Sequence, residues 1–428
     1  MSTLLEGPLP LFVVQAILVI VTSRALGAVA RRFGQPMVVA EIVAGIVLGP
    51  SLLGWLLPGF EAAVFPAKSM QLLGLLSQIG LILFMFLVGL EFDPKMLKGR
   101  TRSSVAISHT SIVVPFALGA LLAWHLHGEY APSGVPLTSF TLFMGTAMSI
   151  TAFPVLARIL TERNLLRSRV GTIAITCAAV DDITAWCILA FVVAIARSAT
   201  LTGAVRTSAL TLLYITVMFL AARPLLRRWL ERIHVGLTQN LIAVALVLLL
   251  LSSWVTELIG IHALFGAFLF GAILPKEGNF AANIAHKLGD LVVVLMLPLF
   301  FAYSGLRTQL GLLSGTKDWI VCAGIVVLAC IGKFGGSTVA ARLTGLPWRE
   351  SSAIGTLMNT RGLMELVVLN IGLDLGVLSP VLFTMMVIMA LVTTLLTTPV
   401  LQSIYPVELL RESVIPTPDR TYPAAEPP

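Results

Sequence analysis

Charge is scarce in this 428-residue sequence: Asp, Glu, Lys and Arg make up 11% of it, against 57% hydrophobic residues. A soluble domain carries about 25% charged residues, so a water-solvated globule is excluded and lipid is the expected solvent. Cysteine is also scarce. Cys177, Cys187, Cys322 and Cys330 show no CxxC spacing, which removes a disulfide framework and a thiolate metal site and leaves them as apolar fillers inside helices. The six histidines form no HExxH or other ligand cluster, and a surface role is expected for them. No GxGxxG follows a strand pattern, which argues against a nucleotide-binding domain on this chain. Nor is any basic stretch interleaved with aromatics, so the net charge of +7 is not the footprint of a nucleic-acid partner. A basic leader with a cleavage site is missing too. The first apolar window, Leu9 to Ala30, is too long for a removable signal peptide and reads as a mature span.

What the sequence does have is apolar runs near the roughly 20 residues needed to cross a bilayer. They predict an all-α polytopic membrane protein with about thirteen transmembrane helices, at 9–30, 36–56, 70–91, 103–124, 137–160, 169–195, 207–226, 237–253, 255–274, 288–306, 317–341, 351–371 and 379–402. Lys and Arg accumulate on the cytoplasmic side of a membrane. With the N-terminus outside, twenty of the 28 Lys and Arg residues fall in cytoplasmic segments, five fall opposite and three fall inside spans. A twelve-span reading inverts half the loops and destroys that asymmetry. The expectation is therefore an odd number of spans in a plasma or inner membrane, with the N-terminus outside and the C-terminus cytoplasmic. Residues 403–428, rich in proline, are expected to form a short disordered tail.

The sixth span holds two adjacent acids, Asp181 and Asp182, at its centre. Each such carboxylate costs about 2.5–3.5 kcal/mol at that depth, so the pair is a candidate site for an ion or proton. Consecutive helical residues point about 100° apart, so one acid can face a partner while the other faces a cavity. Lys333 in the eleventh span is the available partner, and the glycines at 332, 335 and 336 allow close helix approach there. Two spans carry interruptions: Pro154 in the segment Ser149 to Pro154 of the fifth, and Met358 to Gly362 in the twelfth. Broken backbone at membrane depth marks a protein-lined or wet cavity, and paired breaks in separate halves suit inverted repeats. Arg361 and Glu365, spaced i, i+4, are expected to pair in a structural or gating role. Glu41 is a further intramembrane acid, open to a packing or a funnel role, whereas Glu91 and Asp93 sit at a span end with no chemistry assigned.

Six segments in order then resemble the second branch of the monovalent cation:proton antiporter superfamily, which includes Kef-like and sodium/proton exchangers of bacteria and plant cation/proton exchangers. They are residues 40–50 from Ala40 to Pro50, 86–91 from Phe86 to Glu91, 151–158 from Thr151 to Arg158, Val180-Asp181-Asp182, 262–268 from His262 to Phe268, and 359–366 from Asn359 to Leu366. The resemblance implies one exchanger-type domain over 9–402. Its six-helix core (about 103–195 and 317–402) has two crossed discontinuous helices and sits beside a dimerisation domain. It also implies a homodimer without cofactors, and no metal beyond the transported monovalent cation. By the same resemblance Asp182 carries cation and proton, Asp181 pairs with Lys333, and Thr151 with its neighbour Ser149 supports the ion site. Asp-Asp with Lys resembles electrogenic exchangers. The plant members usually have Asn before the Asp, so the chain departs from them at Asp181.

The expected function is exchange of Na+ or K+ for H+ by alternating access, not enzyme chemistry. A cation channel is one alternative, but it calls for rings of carbonyls or acids and no neutralising lysine. An intramembrane aspartyl protease is another, but it needs acids on two facing helices, typically with GxGD, which does not occur here.

Overall fold

The computed structural model describes residues 7–91, 102–163, 165, 168–197, 201–232, 238–275 and 280–405. Asp93 and the proline-rich tail from Pro406 lie outside the described residues. The described chain is helical throughout, joined by short connections. In order the main helices are α1 (Pro8–Arg32), α2 (Met37–Leu48, followed by the short helices Leu53–Leu56 and Pro58–Val64), α3 (Ala67–Glu91), α4 (Arg102–Tyr130), α5 (Leu137–Ser149), α6 (Phe153–Glu162) and α7 (Arg169–Arg197). Then come α8 (Leu201–Val217, continued through a π-helical turn to Arg232), α9 (Gln239–Ile259), α10 (Ala263–Ile273) and α11 (Phe280–Leu291, continued through a π-helical turn to Leu306). Last are α12 (Thr316–Cys330, continued through the π-helical turn Ile331–Gly335 to Leu343), α13 (Trp348–Met358), α14 (Leu363–Asp374) and α15 (Pro380–Ile404).

Eleven helical segments among the described residues are long and apolar enough to cross a membrane. The two other expected spans correspond to α10, only 11 residues long, and to the half-helices α13 and α14. One boundary differs from the sequence reading. The expected break near residue 254 lies instead at 260–262, because Gly260 takes the left-handed conformation (φ 100°) and its N–H caps the end of α9.

Two sets of helices pack together. In one, α4 packs on α5, α7 and α12, α13 packs on α7, α12 and α15, and the pattern of long, broken and long helix at α4 to α7 recurs at α12 to α15. In the other, α1, α2, α3, α10 and α11 pack among themselves, and α9 packs on α10. Glycines set the closest crossings. A Cβ at Gly45 of α2 would lie 2.8 Å from the Ala302 Cα of α11, and one at Gly305 would lie 2.7 Å from the Gly45 Cα. Gly45→Val is therefore expected to destabilise the protein by about 1–3 kcal/mol through overpacking, read as a lower midpoint of thermal unfolding in detergent. An unchanged midpoint would show that the crossing yields.

Candidate functional site

Both sequence-predicted interruptions are true breaks, and they meet. The fifth span stops at Ser149, runs extended through Ile150 and Ala152, and restarts at Phe153. Pro154 is not the breaking residue but sits in the first turn of α6, where its missing N–H is harmless. The twelfth span breaks at Asn359–Gly362. The two crossing strands are joined by a hydrogen bond from the Ala152 N–H to the Thr360 carbonyl (3.1 Å). Two helix C-termini and two N-termini are thus brought into the interior, where their partial charges need partners.

Arg361 supplies one set. Fully buried, its guanidinium donates to the carbonyls of Ala147 (3.1 Å) and Met148 (2.8 Å) at the end of α5 and to Glu365 Oε2 (2.9 Å). The expected Arg361–Glu365 pair therefore exists, but Arg361 stands in the break rather than on the helix, and Glu365 lies in the first turn of α14. A carboxylate there complements the N-terminal end of the dipole. Thr394 of α15 clips the same break: its hydroxyl donates to the Arg361 carbonyl (2.8 Å) and accepts from the Arg361 N–H (3.2 Å).

The adjacent aspartates on α7 have unlike surroundings. Asp181 is saturated with donors: Ser108 donates to Oδ1 (2.8 Å), while Ser111 (2.5 Å) and Thr151 (2.9 Å) donate to Oδ2. Lys333 Nζ lies 3.4 Å from the same Oδ2 and donates to the Thr151 hydroxyl (2.5 Å). The expected Asp181–Lys333 pair is present, fully buried on both sides and bridged by Thr151. Lys333 sits in the middle of the π-helical turn of α12, and a Cβ on its neighbour Gly332 would lie 2.9 Å from the Pro115 Cα of α4. Close glycine contact thus carries the lysine to the centre. Asp182 is also buried, with the backbone N–H of Phe153 at the start of α6 near it, and its Oδ1 has no hydrogen-bond partner.

The remaining candidates separate from this centre. Ser149 is buried and its hydroxyl donates back to the Thr146 carbonyl (2.8 Å) rather than to either aspartate. Glu41 is buried on α2, which packs on α1 and α11. Ser108 and Ser111 were not singled out in the sequence. Their signal was an i, i+3 spacing of small polar residues within an apolar span.

A model of the family described as sodium/hydrogen exchanger, transmembrane, matches residues 17–405. The chain belongs to this family. As a sodium/hydrogen exchanger family member it is a transporter homologue and not an enzyme, in keeping with the resemblance read from the motifs. It is 46% identical over 401 residues to the Na(+)/H(+) antiporter NhaS4 of Synechocystis sp., covering 92% of this chain and 97% of that protein. It is 43% identical to cation/H(+) antiporter 17 of Arabidopsis thaliana and 33% identical to K(+)/H(+) antiporter 1 of Saccharomyces cerevisiae, each over 94% of this chain. The chain spans about half the length of those two relatives, 49% and 46%. The sodium proton antiporter MjNhaP1 of Methanocaldococcus jannaschii shares the fold, with a TM-score of 0.66 at 15% identity over 95% of this chain and 100% of that one.

Proposed function

We propose that this family member exchanges a monovalent cation, Na+ or K+, for H+ by alternating access, with Asp182 as the group that holds cation and proton in turn. The observation that carries the assignment is the bare Oδ1 of Asp182, buried beside the crossing of two broken helices. A dehydrated cation needs free lone pairs, and Asp181 has both oxygens engaged by donors whereas Asp182 has one to offer. Protons compete for the same oxygen, so a site that opens to one side at a time returns with one after releasing the other. Asp181 and Lys333 form the fixed counter-charge pair beside it. In this proposal the chain crosses the membrane thirteen times with the N-terminus outside, α4 to α7 and α12 to α15 form the moving core, and the other helices scaffold a homodimer in a plasma or inner membrane.

The test is cation-driven proton flux in proteoliposomes, with lithium, sodium, potassium and rubidium compared. An imposed pH difference is expected to drive one of these cations against its own gradient, which a channel cannot do. Electrogenic exchange is the expected mode, so clamping the voltage with potassium and valinomycin changes the rate. Asp181→Asn is expected to weaken that response, because it leaves the Lys333 charge without its partner. Equal rates with and without the clamp in the native protein would refute electrogenicity while leaving exchange intact.

A further inference from the structure

A polar seam at one end of the bundle is used by none of this chemistry. Two adjoining cavities, of about 220 Å³ and about 20 Å³, lie between α3 and α10 on one side and the half-helix α14 on the other. They share Gln78, His262, Leu264, Ile371 and Asp374, and the smaller continues inward along α14 past Asn370 to Val367. His262, expected at the surface, instead accepts the Leu264 N–H through Nδ1 (3.4 Å) at the start of α10 and lines both cavities. Helix α14 begins at the break, and a helix rises about 1.5 Å per residue, so Asp374 stands roughly 16 Å from the break and Val367 only about 6 Å. The cavities therefore descend most of the way from the end of the bundle toward the crossing that holds Asp182.

Two ion pairs at this end span the two packed sets. Arg307, at the end of α11, donates to Asp374 Oδ1 (2.6 Å) and Asn370 Oδ1 (3.0 Å) on α14. Its guanidinium carbon also lies 5.3 Å from the ring centre of Tyr303 on α11 and 5.9 Å from that of Phe383 on α15. Nearby, Arg197 at the end of α7 pairs with Glu257 of α9 (3.0 Å), and Glu257 also accepts the Ala263 N–H (3.0 Å). Each pair has one member on the set containing the aspartates and one on the other set. The acids Asp374 and Glu257 are almost half exposed, at 46% and 43%, so solvent is at hand to receive them when the pairs part. Such pairs hold weakly, which suits a closure that opens in every cycle.

We propose that this seam is one mouth of the cation pathway and that Arg307, clamped on Asp374 and Asn370, is the stopper that closes it in the conformation described here. The inference rests on the exchange reading for what passes through, but its test does not. The probe is a membrane-impermeant methanethiosulfonate reagent applied to each face in turn of a chain whose four native cysteines are replaced and which carries Val367→Cys. That thiol is buried at the inner end of the cavity and reacts only when the mouth opens. Arg307→Ala is expected to speed labelling roughly tenfold from one face alone, and Asp374→Asn to speed it from the same face. The charge swap Arg307→Asp with Asp374→Arg is expected to return it toward the slow rate, which separates gating from misfolding. Equal labelling with and without Arg307, or a swap that labels as fast as Arg307→Ala, overturns the proposal. The same rates measured in the Asp182→Asn background stand whether or not exchange is the function.

Discussion

Asp182→Asn is expected to reduce cation-dependent proton flux in proteoliposomes to that of empty vesicles, while the protein inserts and folds as before. The amide keeps the volume and an oxygen acceptor at the same place. What it loses is the charge and the capacity to exchange it for a proton. Stability points the other way from function. A buried carboxylate whose Oδ1 has no partner costs free energy in the folded state, so its neutral isostere is expected to melt no lower than the parent. That combination, dead transport with undiminished thermal stability, separates a functional acid from a structural one. Residual flux comparable with the native protein would remove Asp182 from the mechanism, and a sharply lowered melting point would make it a packing residue.

Arg361→Ala is expected to have the largest effect on the fold itself. The side chain, fully buried, holds the Ala147 and Met148 carbonyls in the last turn of α5 and Glu365 together, and so ties one broken helix to the other. Removing it strands a buried carboxylate whose other oxygen is already without a partner, and exposes two helix-end carbonyls to an interior that cannot satisfy them. Breaking a buried pair from one side costs on the order of 3–5 kcal/mol. The expected readout is a large fall in the unfolding midpoint in detergent, with loss of exchange. Arg361→Lys is expected to recover part of it, since an ammonium carries charge but cannot fork across Glu365 and two carbonyls at once. An alanine variant as stable as the parent would mean that the crossing is held by Thr394 and the Ala152–Thr360 bond alone.

The sequence by itself determined the solvent, the all-helical fold class, the carboxylate pair and its lysine. These follow from local composition, because crossing hydrocarbon requires a long apolar run and makes every charge inside it conspicuous. Lys333 was identifiable as the partner of Asp181 because so few ionisable groups were available at that depth. The tertiary structure decided which oxygens are free. Helix depth and rotation turn Ser108 and Ser111 onto Asp181, turn Ser149 back onto its own helix, and place the Phe153 N–H against Asp182. It also decided that the fifth span breaks before Pro154, since a proline ends one helix or begins the next with equal ease, and that Arg307 meets an acid 67 residues away. Partition into lipid is a property of each segment alone, whereas a hydrogen bond between helices depends on how two segments rotate and slide against each other, which neither segment encodes by itself.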